Sequence, residues 1–525
     1  MYAAAHMSSA RTTAVLLFIF FQSLYALTSS GNAFRIPDEF EVYFQVEHLV
    51  DAGDLSVPQT LDIQQPVVVN GKMVGTQSVF FGKRGKDGKP YAPYGPLLAV
   101  LAVPHHLLGR AVAAVAGVPR VPRANGLAWV ILVGGITLLT SATAAALAVV
   151  GFYRAALAMS TPASVALLLS LLLGGATVMW PYSATLYSEA WQAAALVWAA
   201  ALLLEARAGQ GQARARVIGA ALLLAVAGLT KVTALVFAPA LVVAVLVDRT
   251  LAERTRREVA VTLAIGIILA AAIHVRWNEY RFGAPFDFGY DWSETIPVLP
   301  PRAFAISDVP RGLAVLLFSP GKSVFVWAPV MVLAVAGARR LWQRDRALAV
   351  GIATATSLGL VFFAAYQFPE GGYSHGPRNL VPIVPLMLLP AAGIEAGRWR
   401  RPVLAACAAV GVVTMLLSLS VSYLEDQAMV GSANGYYDRI DPAPGRPSNR
   451  YRLGYIPFVT TLRAPGWSVS PALGQGPDFF PLHLRQAQRQ LRDGRAIPSW
   501  LIWVWPLAWL LLCLGAAGRL YRANA

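Results

Sequence analysis

Arg35-Ile36-Pro37-Asp38-Glu39-Phe40-Glu41-Val42-Tyr43 follows the first apolar run of the chain, residues 12–30, and its reading decides how the rest is laid out. Two adjacent carboxylates stand a few residues beyond a segment apolar enough to cross a membrane. Pro37 suits the first position of a helix, and Asp38 and Glu39 suit its first turn, where negative charge meets the positive end of the helix dipole. Phe40, Tyr43, Phe44, Val46, Leu49 and Val50 fall along one side as far as Ala52, and Gly53 is a natural stop. The stretch therefore reads as a helix over Asp38–Ala52 lying on a membrane surface, apolar side down. An acidic first turn taken alone is equally a dipole partner or a general base at headgroup depth.

Outward from this helix, the composition is that of a polytopic membrane protein. The 525 residues are 56% hydrophobic and only 13% charged, about half the ~25% of a soluble domain. Residues 12–30 read as a retained first span rather than a cleaved signal peptide, because many spans follow. Further spans are expected at about 127–150, 163–181, 187–204, 217–229, 233–247, 259–275, 323–338, 348–366, 380–394, 402–422 and 500–517, twelve with the first. Leu61 to Lys89 reads as an irregular loop or hairpin. Residues 95–117 have the length of a span but hold Pro104, His105, His106 and Arg110 in their middle, so they read as a second surface or re-entrant helix. Cys407 and Cys513 lie in apolar runs and make neither a disulfide framework nor a metal cluster.

The net charge of +16 is not a nucleic-acid signal, because of where it sits. With the N-terminus inside, the short inside segments hold eighteen of the 43 basic residues and six of the 27 acidic ones, so +12 of the +16 lies on that side. This is the positive-inside pattern, and counting residues 95–117 as a span would invert it. Arg110, Arg120 and Arg123 remain on the outer side and are read as interfacial. The long loops 31–126, 276–322 and 423–499 then share the outer face with the acidic pair. Both termini are expected inside.

That face collects further charge. Lys231 in Gly228-Leu229-Thr230-Lys231-Val232-Thr233 sits between two apolar runs, either snorkelling or meeting a lipid phosphate. Arg378 closes Glu370-Gly371-Gly372-Tyr373-Ser374-His375-Gly376-Pro377-Arg378, a glycine-rich turn whose guanidinium suits a phosphate. Glu189 in Tyr187-Ser188-Glu189 opens a span, as a dipole partner or a second carboxylate. Ser319-Pro320-Gly321-Lys322-Ser323 lacks the leading glycine of a P-loop and reads as a tight turn with Lys322 at headgroup level. His105-His106 has no third ligand at metal-site spacing. Carboxylates and cations on one face suit one reaction type: a hydroxyl attacks an activated carbon, a base takes its proton, and cations stabilise a departing phosphate.

Several stretches, in order, resemble the GT-C glycosyltransferases of the protein O-mannosyltransferase and aminoarabinose-transferase-like (family 39-like) branch. Pro37-Asp38-Glu39 with Val50-Asp51-Ala52-Gly53-Asp54-Leu55-Ser56-Val57-Pro58 resembles the family's first outer loop. Lys89-Pro90-Tyr91-Ala92-Pro93-Tyr94-Gly95-Pro96-Leu97-Leu98 resembles its second surface helix. Leu186-Tyr187-Ser188-Glu189-Ala190 and Gly228-Leu229-Thr230-Lys231 resemble its turns. Asn278-Glu279-Tyr280-Arg281-Phe282-Gly283-Ala284-Pro285 and Gly376-Pro377-Arg378-Asn379-Leu380 are similar to uncharacterised bacterial members. The resemblance implies an all-α polytopic membrane protein of GT-C fold, with a catalytic module over residues 1–422, a periplasmic loop over 423–499 and a last span over 500–525. It implies an inverting glycosyltransferase in a bacterial inner membrane that uses a polyprenyl-phosphate sugar (undecaprenyl in bacteria) and a glycan, lipid or protein acceptor. Asp38 or Glu39 maps to the base. Lys231 and Arg378, with Lys89, Tyr94, Glu189, Tyr373 and His375, map to the substrate-binding set. No cofactor is required by this branch; a divalent cation (Mg or Mn) is the alternative if Asp38, Glu39 and Glu189 converge. A transporter or lipid flippase is the rival from another class, and a surface-polysaccharide polymerase or ligase shares the donor chemistry.

Overall fold

Helices dominate the computed structural model, which describes residues 2–29, 37–62, 64–69, 72–78, 82–120, 129–209, 211–290, 304–319, 321–366, 369, 371, 374–394, 400–420 and 499–524. α1 (Tyr2–Leu27) is the first apolar run, and α2 (Pro37–Ala52) is the expected acidic-headed helix. Gly53 ends α2 at φ +68, a left-handed conformation open to glycine. The loop that follows holds two antiparallel pairs, β1 (Gln64–Val69) with β2 (Lys72–Ser78) and β3 (Lys83–Arg84) with β4 (Pro90–Tyr91).

α3 (Leu97–Val115) runs unbroken through Pro104 and packs against α2 and the π-helical turn Val130–Gly134. It is long and apolar enough to cross a membrane. Asp51, near the end of α2, takes Arg110 at 2.8 Å and also binds Arg120. These are two of the three arginines that the charge count left unexplained, and both pair with Asp51; Arg123 lies outside the described residues.

The bundle continues with α4 (Leu139–Ala158), α5 (Ala163–Gly175), α6 (Glu189–Arg207), α7 (Ala213–Thr230), α8 (Pro239–Val247) and α9 (Glu253–Phe282). α10 (Val309–Phe318), α11 (Met331–Arg344), α12 (Arg346–Ala364), α13 (Arg400–Ser420) and α14 (Ser499–Asn524) complete it. α4 lies along α6, α6 along α7 and α7 along α9, while α1 packs on α4 and α14. Buried alanines such as Ala145, Ala193, Ala200 and Ala220 let these backbones approach. Gly266 of α9 fits so closely under α7 that a Cβ there would overlap the Ala221 carbonyl.

Among the described residues seven helical segments are long and apolar enough to cross a membrane, and four shorter apolar ones accompany them. Two of the differences from the twelve expected spans have local causes. Pro382, Pro385 and Pro390 remove amide donors, so the stretch expected as one span over 380–394 is a 3-10 turn (Arg378–Ile383), a helical turn (Val384–Leu388) and a second 3-10 turn (Leu389–Gly393). The stretch expected as 323–338 is interrupted at Ala328, with a short helix Val324–Trp327 before α11. Most of the expected periplasmic loop over 423–499 lies outside the described residues.

Candidate active site

Four turns far apart in the sequence meet at one end of the bundle, and Arg378 joins them. Its Nη1 donates to Asp38 Oδ2 at 2.9 Å and its Nε to Glu189 Oε1 at 2.8 Å. The guanidinium lies 3.7 Å from the centre of the Tyr187 ring, which adds a cation–π contact. Lys231 Nζ approaches the same Glu189 oxygen at 3.6 Å and stands 6.0 Å from the centre of the Tyr94 ring.

Each group is positioned by its own stretch of backbone. Asp38 and Glu189 occupy the first turns of α2 and α6, where carboxylates are favoured. Lys231 follows the last residue of α7 in an extended conformation (φ −160, ψ 132), where a cation complements the helix C-terminus. Arg378 opens a 3-10 turn, and Gly371, at φ +82, leaves room for it: a Cβ at 371 would stand 2.6 Å from Arg378 Cβ. Tyr94 is held through its neighbours. A Cβ on Gly95 would overlap the Leu229 carbonyl, so the loop before α3 closes directly onto the turn that carries Lys231. Arg281 of α9 donates to the Ala92 carbonyl and, at 3.4 Å, to that of Tyr94.

The site formally pairs two anions with two cations, and the pairing is uneven. Arg378 is held on two sides, whereas among the described residues the ion pair of Lys231 is the 3.6 Å contact, longer than a hydrogen bond. Glu189 is 2% exposed, and its Oε2 has no hydrogen-bond partner among the described residues. Leaving a buried polar atom unsatisfied costs about 1–3 kcal/mol, more for a charged one. Such an oxygen is suited to accept from a bound hydroxyl. Burial pushes the Lys231 ammonium below its ordinary pKa, against the pull of Glu189.

Asp38, Tyr94, Glu189, Lys231 and Arg378 are therefore brought together. Glu39 points elsewhere: it is fully buried, and its Oε1 accepts the Leu186 N–H at 3.0 Å, tying α2 to the turn before α6. Lys89 sits at the surface on Asp54 at 2.6 Å, with its side chain 52% exposed. His375 is buried; its carbonyl accepts from Tyr182 Oη at 2.9 Å and its ring lies 5.6 Å from Trp327. Tyr373 lies outside the described residues. Lys322, expected at headgroup level, is instead buried and donates to the Ser374 carbonyl at 2.5 Å, bracing the turn that carries Arg378. His105 meets Thr140 and Thr143, and His106 meets Thr137. Among the described residues no group of three or more His, Cys, Asp or Glu side chains is placed to hold a metal ion.

Two contributors escape a sequence reading that stops at the acidic pair. Adjacent helix residues point about 100° apart, so Asp38 and Glu39 cannot both face one site, whereas residues three apart share a face. Glu41 is the residue three beyond Asp38. It is 3% exposed, and burial, followed by the Asp38 charge, pushes its carboxyl well above the usual range. Helical spacing was the available signal. For Arg281 there was none, because its partners are loop carbonyls.

No protein-family model matches the chain, and no curated protein matches it. Among solved structures it is similar to the archaeal oligosaccharyltransferase AglB from Archaeoglobus fulgidus in complex with an inhibitory peptide and a dolichol-phosphate, with 12% identity and a TM-score of 0.42. That match covers 87% of this chain and 54% of the other. The oligosaccharyltransferase of the same organism tethered to an acceptor peptide matches at 11% identity and TM-score 0.42, over 86% and 62%. The chain thus spans little more than half the length of these proteins. A likeness at this level carries no argument about activity.

Proposed function

We propose that the chain is an inverting, GT-C-type glycosyltransferase that moves a sugar from a polyprenyl-phosphate donor to a hydroxyl acceptor at the periplasmic face of a bacterial inner membrane. The observation that carries the proposal is the Asp38–Arg378–Glu189–Lys231 cluster, with a Glu189 Oε2 that has no partner among the described residues. It gathers a base, two cations and a hydrogen-bond acceptor at one end of an apolar bundle. The resemblance of the loop motifs to the polyprenyl-phosphate branch supports the same reading.

In this mechanism Asp38 takes the proton of the acceptor hydroxyl. The oxygen bonds to the sugar C1 as the bond from C1 to the phosphate oxygen breaks, and the electron pair leaves on the lipid phosphate. Lys231, the least engaged cation, meets the charge that develops there, and Arg378 holds Asp38 and Glu189 in register. Glu189 Oε2 accepts from a sugar hydroxyl. Glu39 ties α2 to the turn before Glu189, and Lys89 stays at the rim on Asp54. Twelve spans follow the apolar runs, and inside termini with α3 at the surface follow the arginine distribution. A transporter would place its charged groups near the membrane midplane, and among the described residues no contact at this end of the bundle favours it.

The test is transfer of labelled sugar from a polyprenyl-phosphate donor by the purified protein. Turnover with the wild type and its loss with Asp38→Asn support the proposal. Absence of both binding and turnover across polyprenyl-phosphate sugars overturns it.

A further inference from the structure

The buried stripe of α9 changes character along its length. Leu263, Gly266 and Ala270 are apolar, and the same stripe continues at helical spacing as His274, Asn278 and Arg281. Polar side chains on the packed side of a spanning helix are costly unless each finds a partner. Here the partners are main-chain groups of the two walls that meet at Lys231. His274 Nε2 lies 2.7 Å from the Gly228 carbonyl. A carbonyl only accepts, so Nε2 carries the proton. That carbonyl is one of the last four of α7, which have no acceptor role left within their own helix, and Lys231 follows directly on the helix end. Further along α9, Arg281 donates to the carbonyls of Ala92 and Tyr94. Asn278 fixes the guanidinium, accepting from Nη2 at 2.8 Å and donating to the Pro285 carbonyl at 3.2 Å. Between these two grips the walls touch: a Cβ on Gly95 would overlap the Leu229 carbonyl and stand 3.1 Å from His274 Cε1.

We propose that His274 and Arg281 are positioning residues, which make α9 a rigid bracket fixing the turn that carries Lys231 against the loop that carries Tyr94. The two grips are about two helical turns apart, roughly 10 Å of rise, with continuous helix between them. Both hold main chain, so they act on where Lys231 and Tyr94 stand rather than on the chemistry of either side chain. The 6.0 Å approach of the Lys231 ammonium to the Tyr94 ring is the distance the bracket sets. The kinetic consequence rests on the transfer reading above; the bracket itself does not.

The Lys231 side chain is 14% exposed and that of Lys89 52%. Brief acetic anhydride labelling of the folded full-length protein, quantified at both lysines, therefore reads the bracket without any substrate. His274→Ala and Arg281→Ala are each expected to raise Lys231 labelling relative to Lys89. His274→Gln, whose amide still donates to the Gly228 carbonyl, keeps the wild-type ratio. Arg281→Lys, charged but able to hold one carbonyl where the guanidinium holds two, gives an intermediate ratio. In transfer assays His274→Ala loses about tenfold in kcat/KM, the value of one hydrogen bond, and His274→Gln recovers most of it. A wild-type labelling ratio in the folded alanine variants, or in Arg281→Lys where those do not fold, overturns the proposal. So does a His274→Gln protein as open as His274→Ala, or an opened variant that transfers sugar at the wild-type rate. Opened ratios in a protein that turns over no polyprenyl-phosphate sugar support the bracket and count against the transfer reading alone.

Discussion

The two ends of α6 carry buried charge of nearly the same kind, arranged in opposite ways. At the end away from the site, Glu205 is 2% exposed and both oxygens are used, one by Arg154 at 2.6 Å and the other by Arg216 at 3.2 Å. Two residues on, Arg207 is bound by Asp248 at 3.2 Å and by Asp345. Those aspartates also accept from Thr250 and from the Leu348 N–H. At the site end, Glu189 is just as buried, but one oxygen has no partner among the described residues and its second cation stands off at 3.6 Å. Burial of charge alone therefore does not mark a functional centre. A closed network has spent its hydrogen-bonding capacity on the fold, whereas an open one keeps some for a ligand.

Substitutions at the two ends should separate activity from stability. Asp38→Asn is expected to reduce transfer by about 10²–10⁴-fold, the usual contribution of a positioned general base. Its thermal midpoint should stay near that of the wild type, since Arg378 keeps Glu189. Glu205→Gln is expected to do the reverse. It removes the carboxylate charge that Arg154 and Arg216 share, at a site where their side chains are 35% and 19% exposed. That partial exposure brings the cost to about 1–3 kcal/mol, below the 3–5 of a fully buried pair. Thermal unfolding and turnover per folded molecule, measured side by side, check the contrast. An inactive but stable Glu205→Gln protein would reverse the roles of the two ends.

The contrast also shows what the sequence made legible. Lys231, Glu189 and Arg378 stood out because charge beside apolar runs needs a reason, and they do converge. The helix headed by Asp38 was readable from its apolar periodicity and Gly53. Composition hid the difference between the open and closed ends, because Glu189 and Glu205 look alike until their oxygens are counted. Glu39 drew attention by adjacency, although its partner, the Leu186 N–H, is backbone and has no sequence signature. The prolines at 382, 385 and 390 leave hydropathy unchanged while breaking the helix, so a window average reports a span where the chain makes short turns.

A smaller effect should appear in the pH dependence, where activity and stability move in opposite directions. Burial lowers the Lys231 pKa from the ordinary lysine value, ~10.4. The charged form therefore weighs against the fold below the folded-state pKa, and that burden fades as pH rises from there towards the ordinary value. Transfer, which uses the ammonium, falls over the same interval. The alkaline limb of kcat/KM is thus expected below the usual lysine range with no loss of thermal stability. Lys231→Arg, charged throughout, should move that limb upward even if its maximum is lower. An alkaline limb unmoved by Lys231→Arg would assign it to another group and remove Lys231 from the open network.

The smallest effect concerns Lys89, which shares the resemblance to the donor-binding set with Lys231 but not its surroundings. Its ammonium is paired with Asp54 at 2.6 Å, and its side chain is 52% exposed. Asp54 raises the Lys89 pKa, the opposite of the shift at Lys231, because here a partner acts without burial. Exposed pairs of this kind are screened by salt and contribute little. Lys89→Ala is therefore expected to change kcat/KM by less than about twofold, and by less still at high salt. A tenfold loss that persists at high salt would mean that the donor phosphate reaches beyond the buried cluster to the rim of the first loop. The open network would then extend from Glu189 past Tyr94 to the surface, and the distinction between the two ends of α6 would be one of size as well as of completeness.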